Sequence, residues 1–294
     1  MRWSTTSRGA HLPFHDALPQ WAMNTEGDLC VTSVHRMGAG VEQSSVFHLQ
    51  GDRVDPAVLK AREDLLGTTS ATSLVYAALD GWRRQMVEQG KQLLDDLLDL
   101  VAEVRTAIRA IPGLSVMGAA EFPGVYEFDP LKIVVDVSGA GISGYQAADR
   151  LRARQRVTVG LSDHRRVVAG CTVADSARTG EILVRALTAV ASAGLPRPST
   201  VDLPDPAELE LETAMLPRDA FFGPAEQVPV ERAAGRVAAE MVTPYPPGAP
   251  ALVPGEVITR PVLDYLRSGL AAGMQIPDPA DPTLDTVRVV ARAG

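Results

Sequence analysis

A short polar segment after an apolar stretch carries the first residues suited to chemistry: "VTSVHRMGAG" at positions 31–40. The Ser33 hydroxyl, the His35 imidazole and nearby backbone N–H groups are suitable donors to a phosphate. Arg36 stands beside them. A guanidinium stays protonated, and its delocalised nitrogens do not condense with a carbonyl. The segment therefore predicts a site for a phosphorylated ligand.

A second hydroxyl-rich segment, "TTSATS" at 68–73, is either an ordinary turn before a helix or a set of phosphate donors. Metal chemistry is not indicated, because His11, His15 and Cys30 lack the spacing of metal ligands. His164 falls in a predicted strand and is interpreted as structural.

Composition narrows the class of protein. The chain has 294 residues with a formal charge of −8, which argues against general nucleic-acid binding. No apolar run approaches the roughly 18 residues of a membrane span, and the N-terminus does not resemble a signal peptide, so a cytoplasmic location is expected. Two cysteines, Cys30 and Cys171, predict buried thiols.

Several elements must position these residues. Two apolar strands at 27–36 and 44–51 need further strands to form a sheet. A helix begins after Asp55, and a long amphipathic helix covers 73–111, with a break or kink expected at Gly90. An α/β unit with an antiparallel or mixed sheet follows. The C-terminal part is predicted to contain a helix at 229–241, a loop at 243–256 and a helix at 257–272.

Motifs in a fixed order point to a family. They are "TSVHR", "EQSSVFHLQGDRVD", "LLGTTSATS", "DPLKIVVDVSGAGISGYQAADRLR", "MLPRDAFFGPAEQVPVERAAGRVAAE" and "TPYPPGAPALVPGE". Together they resemble the bacterial fold-type-I, pyridoxal-phosphate-dependent Orn/Lys/Arg decarboxylases from about Gly9 onward. The resemblance implies an α/β chain: the end of a cofactor-binding large domain (1–72), a connecting helix (73–112), a small α/β domain (113–195), a linker (196–211) and a C-terminal decarboxylase domain (212–294). It also implies that the family's N-terminal half is not part of this sequence.

The resemblance assigns roles to individual positions. The Schiff-base lysine maps to Arg36, and the aspartate that pairs with the pyridine nitrogen maps to Thr5 within "TTSRGAHL". Ser33 and His35 map to the phosphate end of the cofactor. Thr68, Thr69 and Ser70 map to a segment that reaches a partner subunit's cofactor phosphate.

Simpler interpretations accompany these roles. Ser33 and His35 could merely finish a strand, with His35 bonded to a backbone carbonyl. Arg36 is expected to pair with a carboxylate such as Glu42, or with an acid of a partner. Tyr245 is a possible substrate-entrance contact in a loop that is more simply rigid. The three lysines of the sequence, Lys60, Lys91 and Lys132, are not placed to replace the lost amine.

Three hypotheses follow. The chain is a catalytically silent subunit that pairs, as a homo- or hetero-oligomer, with a lysine-bearing decarboxylase-like partner and shares its pyridoxal 5'-phosphate. Alternatively, it is the C-terminal half of a split decarboxylase whose N-terminal half is separately encoded. A third alternative is a non-functional remnant.

Overall fold

The computed structural model describes residues 3–6, 9–25, 27–245 and 248–292. Its contacts divide the chain into two compact units. The first contains Met1–Ile111, Val116–Val134 and Ala169–Thr188, and the second contains Pro112–Ser115, Val135–Val168 and Ala189–Gly294. Among the described residues, every helix is too short or too polar to cross a membrane.

A three-stranded sheet carries the segment with Ser33 and His35. Its strands are β1 (Trp3–Thr6), β2 (Leu29–Ser33) and β3 (Ser45–Leu49). β2 lies in the middle, parallel to β1 and antiparallel to β3. The two predicted strands are thus confirmed as β2 and β3, and β1 supplies a further strand that they needed.

Two helices follow the sheet. α1 (Pro56–Leu66) begins as predicted, with the Asp55 side chain accepting from Ala57 N at 2.8 Å. α2 runs without interruption over Ser73–Arg109. The expected break at Gly90 is wrong, because this glycine is buried and its missing side chain lets Phe14 pack closely. A Cβ there would lie 3.3 Å from Phe14 Cβ.

A four-stranded sheet forms next. It contains β4 (Ser115–Met117), β5 (Lys132–Asp136), β6 (Leu161–Ser162) and β7 (Arg166–Gly170), in the order β4-β5-β7-β6. The helices are α3 (Gly144–Arg150), capped by Ser143, and α4 (Ala177–Ala191). β6 is short, because a π-helical turn at Leu151–Gln155 extends α3 and Arg156 then takes a left-handed conformation.

The C-terminal part has its own apolar core, which includes Val228, Leu252, Ile258, Leu266 and Val289. Its elements are α5 (Pro217–Phe222), β8 (Ala225–Pro229), α6 (Arg260–Ala272) and β9 (Thr286–Val290), with β8 and β9 antiparallel. α6 confirms the last predicted helix.

The predicted helix at 229–241 is wrong. Only one short turn forms at Val230–Arg232, and Gly235 has a φ of 77°, which a helix does not accommodate. The backbone of Val237 and Ala238 instead forms isolated bridges to Val257 and Val289. Tertiary pairing therefore overrides the helical pattern of this segment.

Candidate functional site

A tight connection between β2 and β3 positions the candidate residues. Ser33 ends β2 and is half-buried. Val34 N and His35 N both donate to Ser44 O, at 3.0 and 3.4 Å, and Gly40 N donates to Val34 O at 3.0 Å. These backbone bonds close the loop, so the residues between Ser33 and Ser44 have a defined arrangement.

His35 is fixed by the same loop. Its Nδ1 donates to Ser44 O at 2.8 Å, and its Nε2 lies 3.6 Å from Glu42 Oε1. A carbonyl only accepts, so Nδ1 carries the proton and Nε2 is the remaining basic nitrogen. The simpler interpretation of His35, a ring satisfied by a backbone carbonyl, is confirmed, and its Nε2 faces the Glu42 carboxylate.

Arg36 lies on the solvent side of this loop and is exposed. The expected ion pair with Glu42 is wrong: no carboxylate of the described residues pairs with Arg36, and Glu42 lies against His35 instead. The tight turn explains this, because Ala39 N donates to Arg36 O at 3.1 Å and the chain then doubles back toward Ser44.

None of the three lysines is an activated amine. Lys60 forms ion pairs with Glu63 and Asp64, and hydrogen bonds to Asp64 and Glu63 raise the pKa of Lys60. Lys91 Nζ lies 2.8 Å from Asp95 Oδ2, and that hydrogen bond raises the pKa of Lys91.

Lys132 Nζ lies 3.6 Å from Asp129 Oδ2. An imine-forming lysine needs a neutral nitrogen, which the carboxylates beside Lys60 and Lys91 oppose.

The hydroxyl segment is exposed between α1 and α2. Thr68 Oγ1 accepts from Ser70 N at 3.1 Å, which is the local bond of an ordinary turn. Within the described part of the chain, no hydrogen bond joins Thr68, Thr69 or Ser70 to Ser33 or His35. The structure therefore brings Ser33 and His35 together and leaves the hydroxyl segment facing solvent.

Two other predicted positions lie elsewhere. β1 aligns Thr5 with Val31 of β2, but the Thr5 side chain lies outside the described residues. Tyr245 belongs to the second unit, where its backbone N donates to Gln275 O at 2.8 Å and its ring is partly exposed.

Sequence reasoning missed a buried pair. His11 is 1% exposed, and its Nε2 lies 3.1 Å from Asp129 Oδ2. Burial alone would raise the pKa of Asp129, but the hydrogen bond and charge of His11, the charge of Lys132 and the Leu131 N–H outweigh it and hold that pKa below its ordinary value. The two residues are 118 positions apart, so no local pattern could have paired them. The described residues contain no cluster suited to a metal ion.

The sequence matches two profiles of one family. Residues 6–127 match "Orn/Lys/Arg decarboxylase, major domain", and residues 206–278 match "Orn/Lys/Arg decarboxylase, C-terminal domain". Arginine decarboxylase of Bacillus anthracis is 35% identical and arginine decarboxylase of Halalkalibacterium halodurans is 36% identical, each over 97% of this chain.

The chain spans 58% of the length of each of those two relatives. In structure, it resembles the lysine decarboxylase of Francisella novicida with a TM-score of 0.79, at 19% identity, over 98% of this chain and 53% of that one. Lysine decarboxylase A of Pseudomonas aeruginosa gives a TM-score of 0.75 at 21% identity, over 97% of this chain and 53% of that one. These likenesses establish an α/β decarboxylase fold.

Proposed function

Because the chain belongs to the Orn/Lys/Arg decarboxylase family, we propose that it is a catalytically silent subunit of a decarboxylase assembly. In this proposal it pairs with a lysine-bearing subunit of the same family, and it contributes hydroxyl groups to that subunit's cofactor phosphate. The names of its relatives favour a basic amino acid, arginine or lysine, as the partner's substrate.

The observation that carries the proposal is the arginine at position 36. By resemblance, that position holds the amine that binds pyridoxal phosphate as an imine, and a guanidinium does not form one. The loop around position 36 is well defined by its backbone bonds, and the three lysines of the chain are paired with carboxylates elsewhere. The residues of this chain therefore do not fit covalent attachment of that cofactor, and we derive no reaction step through it.

A role toward a partner's phosphate fits the hydroxyl segment better than a role within this chain. The hydroxyls of Thr69 and Ser70 have no side-chain hydrogen bond among the described residues, so both are available as donors. Hydroxyl and backbone N–H groups are suitable donors to a phosphate dianion.

The surroundings of this segment support contact with another polypeptide. Large apolar side chains on both sides of it are mostly exposed: Leu65 (73%), Leu66 (85%), Leu74 (78%) and Tyr76 (64%). Exposed apolar clusters of this kind mark interaction surfaces.

A second candidate is one half of a split decarboxylase. It is favoured by Phe47, which is 49% exposed on the three-stranded sheet opposite Val31. A separately encoded segment could cover this face, whereas a silent subunit would use the surface around Thr68–Ser70 first.

The deciding experiment measures carbon dioxide release from arginine and from lysine, with added pyridoxal phosphate. The purified chain alone is expected to release none. Co-expressed with a lysine-bearing family member encoded nearby, it is expected to co-purify and to leave that partner active. Turnover by the isolated chain would overturn the proposal. Stable co-purification with a separately encoded fragment that carries the family's N-terminal half, without release of carbon dioxide, would favour the split enzyme.

A further inference from the structure

A cavity of about 310 Å³ lies within the second unit, beside the short strand β6. Most of its wall is apolar or aromatic, and is formed by Tyr145, Leu161, Val168, Val201, Leu203, Tyr265 and Met274. The volume lies at the lower end of the range of about 300 to 1,000 Å³ that is typical of small-molecule sites. The cavity therefore has room for one small apolar or aromatic group.

The charged residues of this cavity are already paired. Asp163 Oδ1 accepts from the backbone N–H groups of Arg165 and Arg166, at 2.7 and 2.6 Å. Asp163 Oδ2 lies 3.5 Å from Arg166 Nη1. Within the described part of the chain, the cavity thus has no carboxylate or guanidinium left for a ligand. A charged group that entered it would lose hydration without gaining a partner.

A polar groove adjoins the cavity, because Tyr145, Leu161 and Ser162 line both of them. Asp149 and Arg152 also line the groove. Asp149 belongs to α3 and Arg152 to the turn that extends it, so the two are neighbours on one helical surface. Both are exposed, and neither forms an ion pair with any described residue. The groove therefore presents a free carboxylate and a free guanidinium close to each other.

Tyr145 contributes a buried hydroxyl to both walls. The residue is 7% exposed, and its hydroxyl has no hydrogen-bond partner among the described residues and is not fully enclosed by them. Burial, and then the nearby Tyr265 hydroxyl and Asp163 carboxylate, raise the pKa of Tyr145 to about 12, so the hydroxyl keeps its proton at pH 7. It is a donor without an acceptor, which suits an anionic group of a ligand.

We propose that the groove and the cavity together bind an aromatic α-amino acid. Arg152 and the Tyr145 hydroxyl bind its carboxylate, and Asp149 binds its ammonium group. The side chain occupies the cavity, where the rings of Tyr145 and Tyr265 favour an aromatic group. An α-amino acid carries both charges on one carbon, as a ligand of two neighbouring side chains requires. The site uses no residue assigned to cofactor chemistry, so it stands apart from the proposed function.

Titration calorimetry on the full chain compares L-phenylalanine with two analogues that each lack one charge. Phenethylamine has no carboxylate, and 3-phenylpropionate has no ammonium group. L-Phenylalanine is expected to bind saturably and about 10- to 100-fold more tightly than either analogue, the range for a hydrogen bond to a charged group.

L-Arginine is a third probe, because Tyr245, a possible substrate contact, also lines the groove. L-Arginine carries both backbone charges but would bring another charge into the cavity. It is expected to bind about tenfold or more weakly than L-phenylalanine.

Two variants assign the charges of the ligand. Arg152→Gln is expected to weaken L-phenylalanine binding about tenfold or more and to leave phenethylamine binding unchanged. Asp149→Asn is expected to weaken L-phenylalanine binding by a similar factor and to leave 3-phenylpropionate binding unchanged. Arg154→Gln is the matched control, because Arg154 is exposed on the same turn but does not line the groove. It is expected to alter none of these affinities.

Two further variants test the buried part of the site. Tyr145→Phe removes only the hydroxyl and is expected to weaken L-phenylalanine binding about 3- to 10-fold. Val168→Phe fills the cavity and is expected to abolish that binding. Thermal unfolding checks the fold of each variant, and the exposed positions Asp149 and Arg152 decide the test if Val168→Phe does not fold.

The proposal is overturned if L-phenylalanine does not bind to the folded chain, or if it binds no more tightly than its two analogues. It is also overturned if L-arginine binds more tightly than L-phenylalanine. The same conclusion follows if Arg152→Gln and Asp149→Asn have no more effect than Arg154→Gln.

Discussion

At the scale of single residues, the proposed function depends on the guanidinium at position 36. Arg36 lies in a loop that backbone hydrogen bonds define, beside a Ser33 and a His35 that suit phosphate binding. The three lysines are held by carboxylates, and raised pKa values keep Lys60 and Lys91 protonated. A lysine introduced at position 36 should therefore restore one step, the formation of an imine with the aldehyde of pyridoxal phosphate.

Arg36→Lys is expected to gain a position-specific adduct with pyridoxal phosphate. The new amine would stand beside Ser33 and His35, which can hold the phosphate and so raise the local concentration of aldehyde. After borohydride reduction, peptide mass spectrometry should find most of the label at position 36.

Arg53→Lys is the matched control, since Arg53 is also exposed but lies 3.4 Å from the Asp28 carboxylate. Labelling at position 53 as strong as at position 36 would show that exposure alone explains the adduct. Strong labelling of one lysine in the unchanged chain would contradict the silent-subunit proposal.

Asp129→Asn tests the buried pair. The variant loses the charge that accepts from His11, and we expect the free energy of unfolding at pH 7 to fall by about 1.5 to 3 kcal/mol. The pKa of Asp129 is lower in the folded chain, so its contribution is present above the unfolded pKa of about 4 and is lost as the pH falls through the folded value.

Urea unfolding at a series of pH values measures this effect. The gap between Asp129→Asn and the unchanged chain should shrink below about pH 4. Asp80→Asn, which removes a solvent-exposed pair with Arg83, should leave the stability nearly unchanged. A gap for Asp129→Asn that stays constant into acid would mean that packing, rather than charge, accounts for the loss.

At the scale of elements, the sequence predicted those helices and strands that depend on interactions between residues close together in the chain. The Asp55 cap identified α1, the apolar stripe identified α2, and the two apolar runs at 27–36 and 44–51 identified β2 and β3. Ser33 and His35 were predictable for the same reason, since they adjoin one strand. The helix at 229–241 failed because distant residues pair with its backbone. The His11–Asp129 pair also joins distant positions, so sequence spacing carried no signal for it.

The two glycines of α2 should respond in opposite ways to substitution. Gly81 is exposed, and a Cβ there would meet no other atom within 4 Å, so Gly81→Ala should stabilise the chain by about 0.5 to 1 kcal/mol through helix propensity. Gly90→Leu also favours a helix but would collide with Phe14 and Met86, and we expect a loss of about 1 to 3 kcal/mol. Urea unfolding measures both. A stabilising Gly90→Leu would show that Phe14 does not pack against α2 there.

At the scale of the whole molecule, several exposed apolar side chains and exposed hydroxyl groups lie near one another along the sequence. Leu65 and Leu66 end α1 with their side chains exposed, the hydroxyls of Thr69 and Ser70 follow, and Leu74 and Tyr76 begin α2 equally exposed. Exposed apolar side chains that flank hydroxyl donors along the chain suit a polypeptide partner that presents an anionic group. This arrangement supports pairing more strongly than any single residue does.

The effect of Thr69→Ala depends most directly on association with a lysine-bearing subunit. The substitution is made in this chain, and the co-purified complex is then measured. If the Thr69 hydroxyl donates to the partner's cofactor phosphate, its removal should weaken the partner's affinity for pyridoxal phosphate by about 10- to 100-fold, the range for a hydrogen bond to a charged group. Dialysis of the complex followed by cofactor titration measures this affinity, with the amount of co-purified partner as the check on association. Thr106→Ala, an exposed hydroxyl on α2 bonded to Ala102 O, should leave both quantities unchanged. A complex that forms normally but holds its cofactor equally well with Thr69→Ala would remove this segment from the phosphate site, because the surface would then serve association alone.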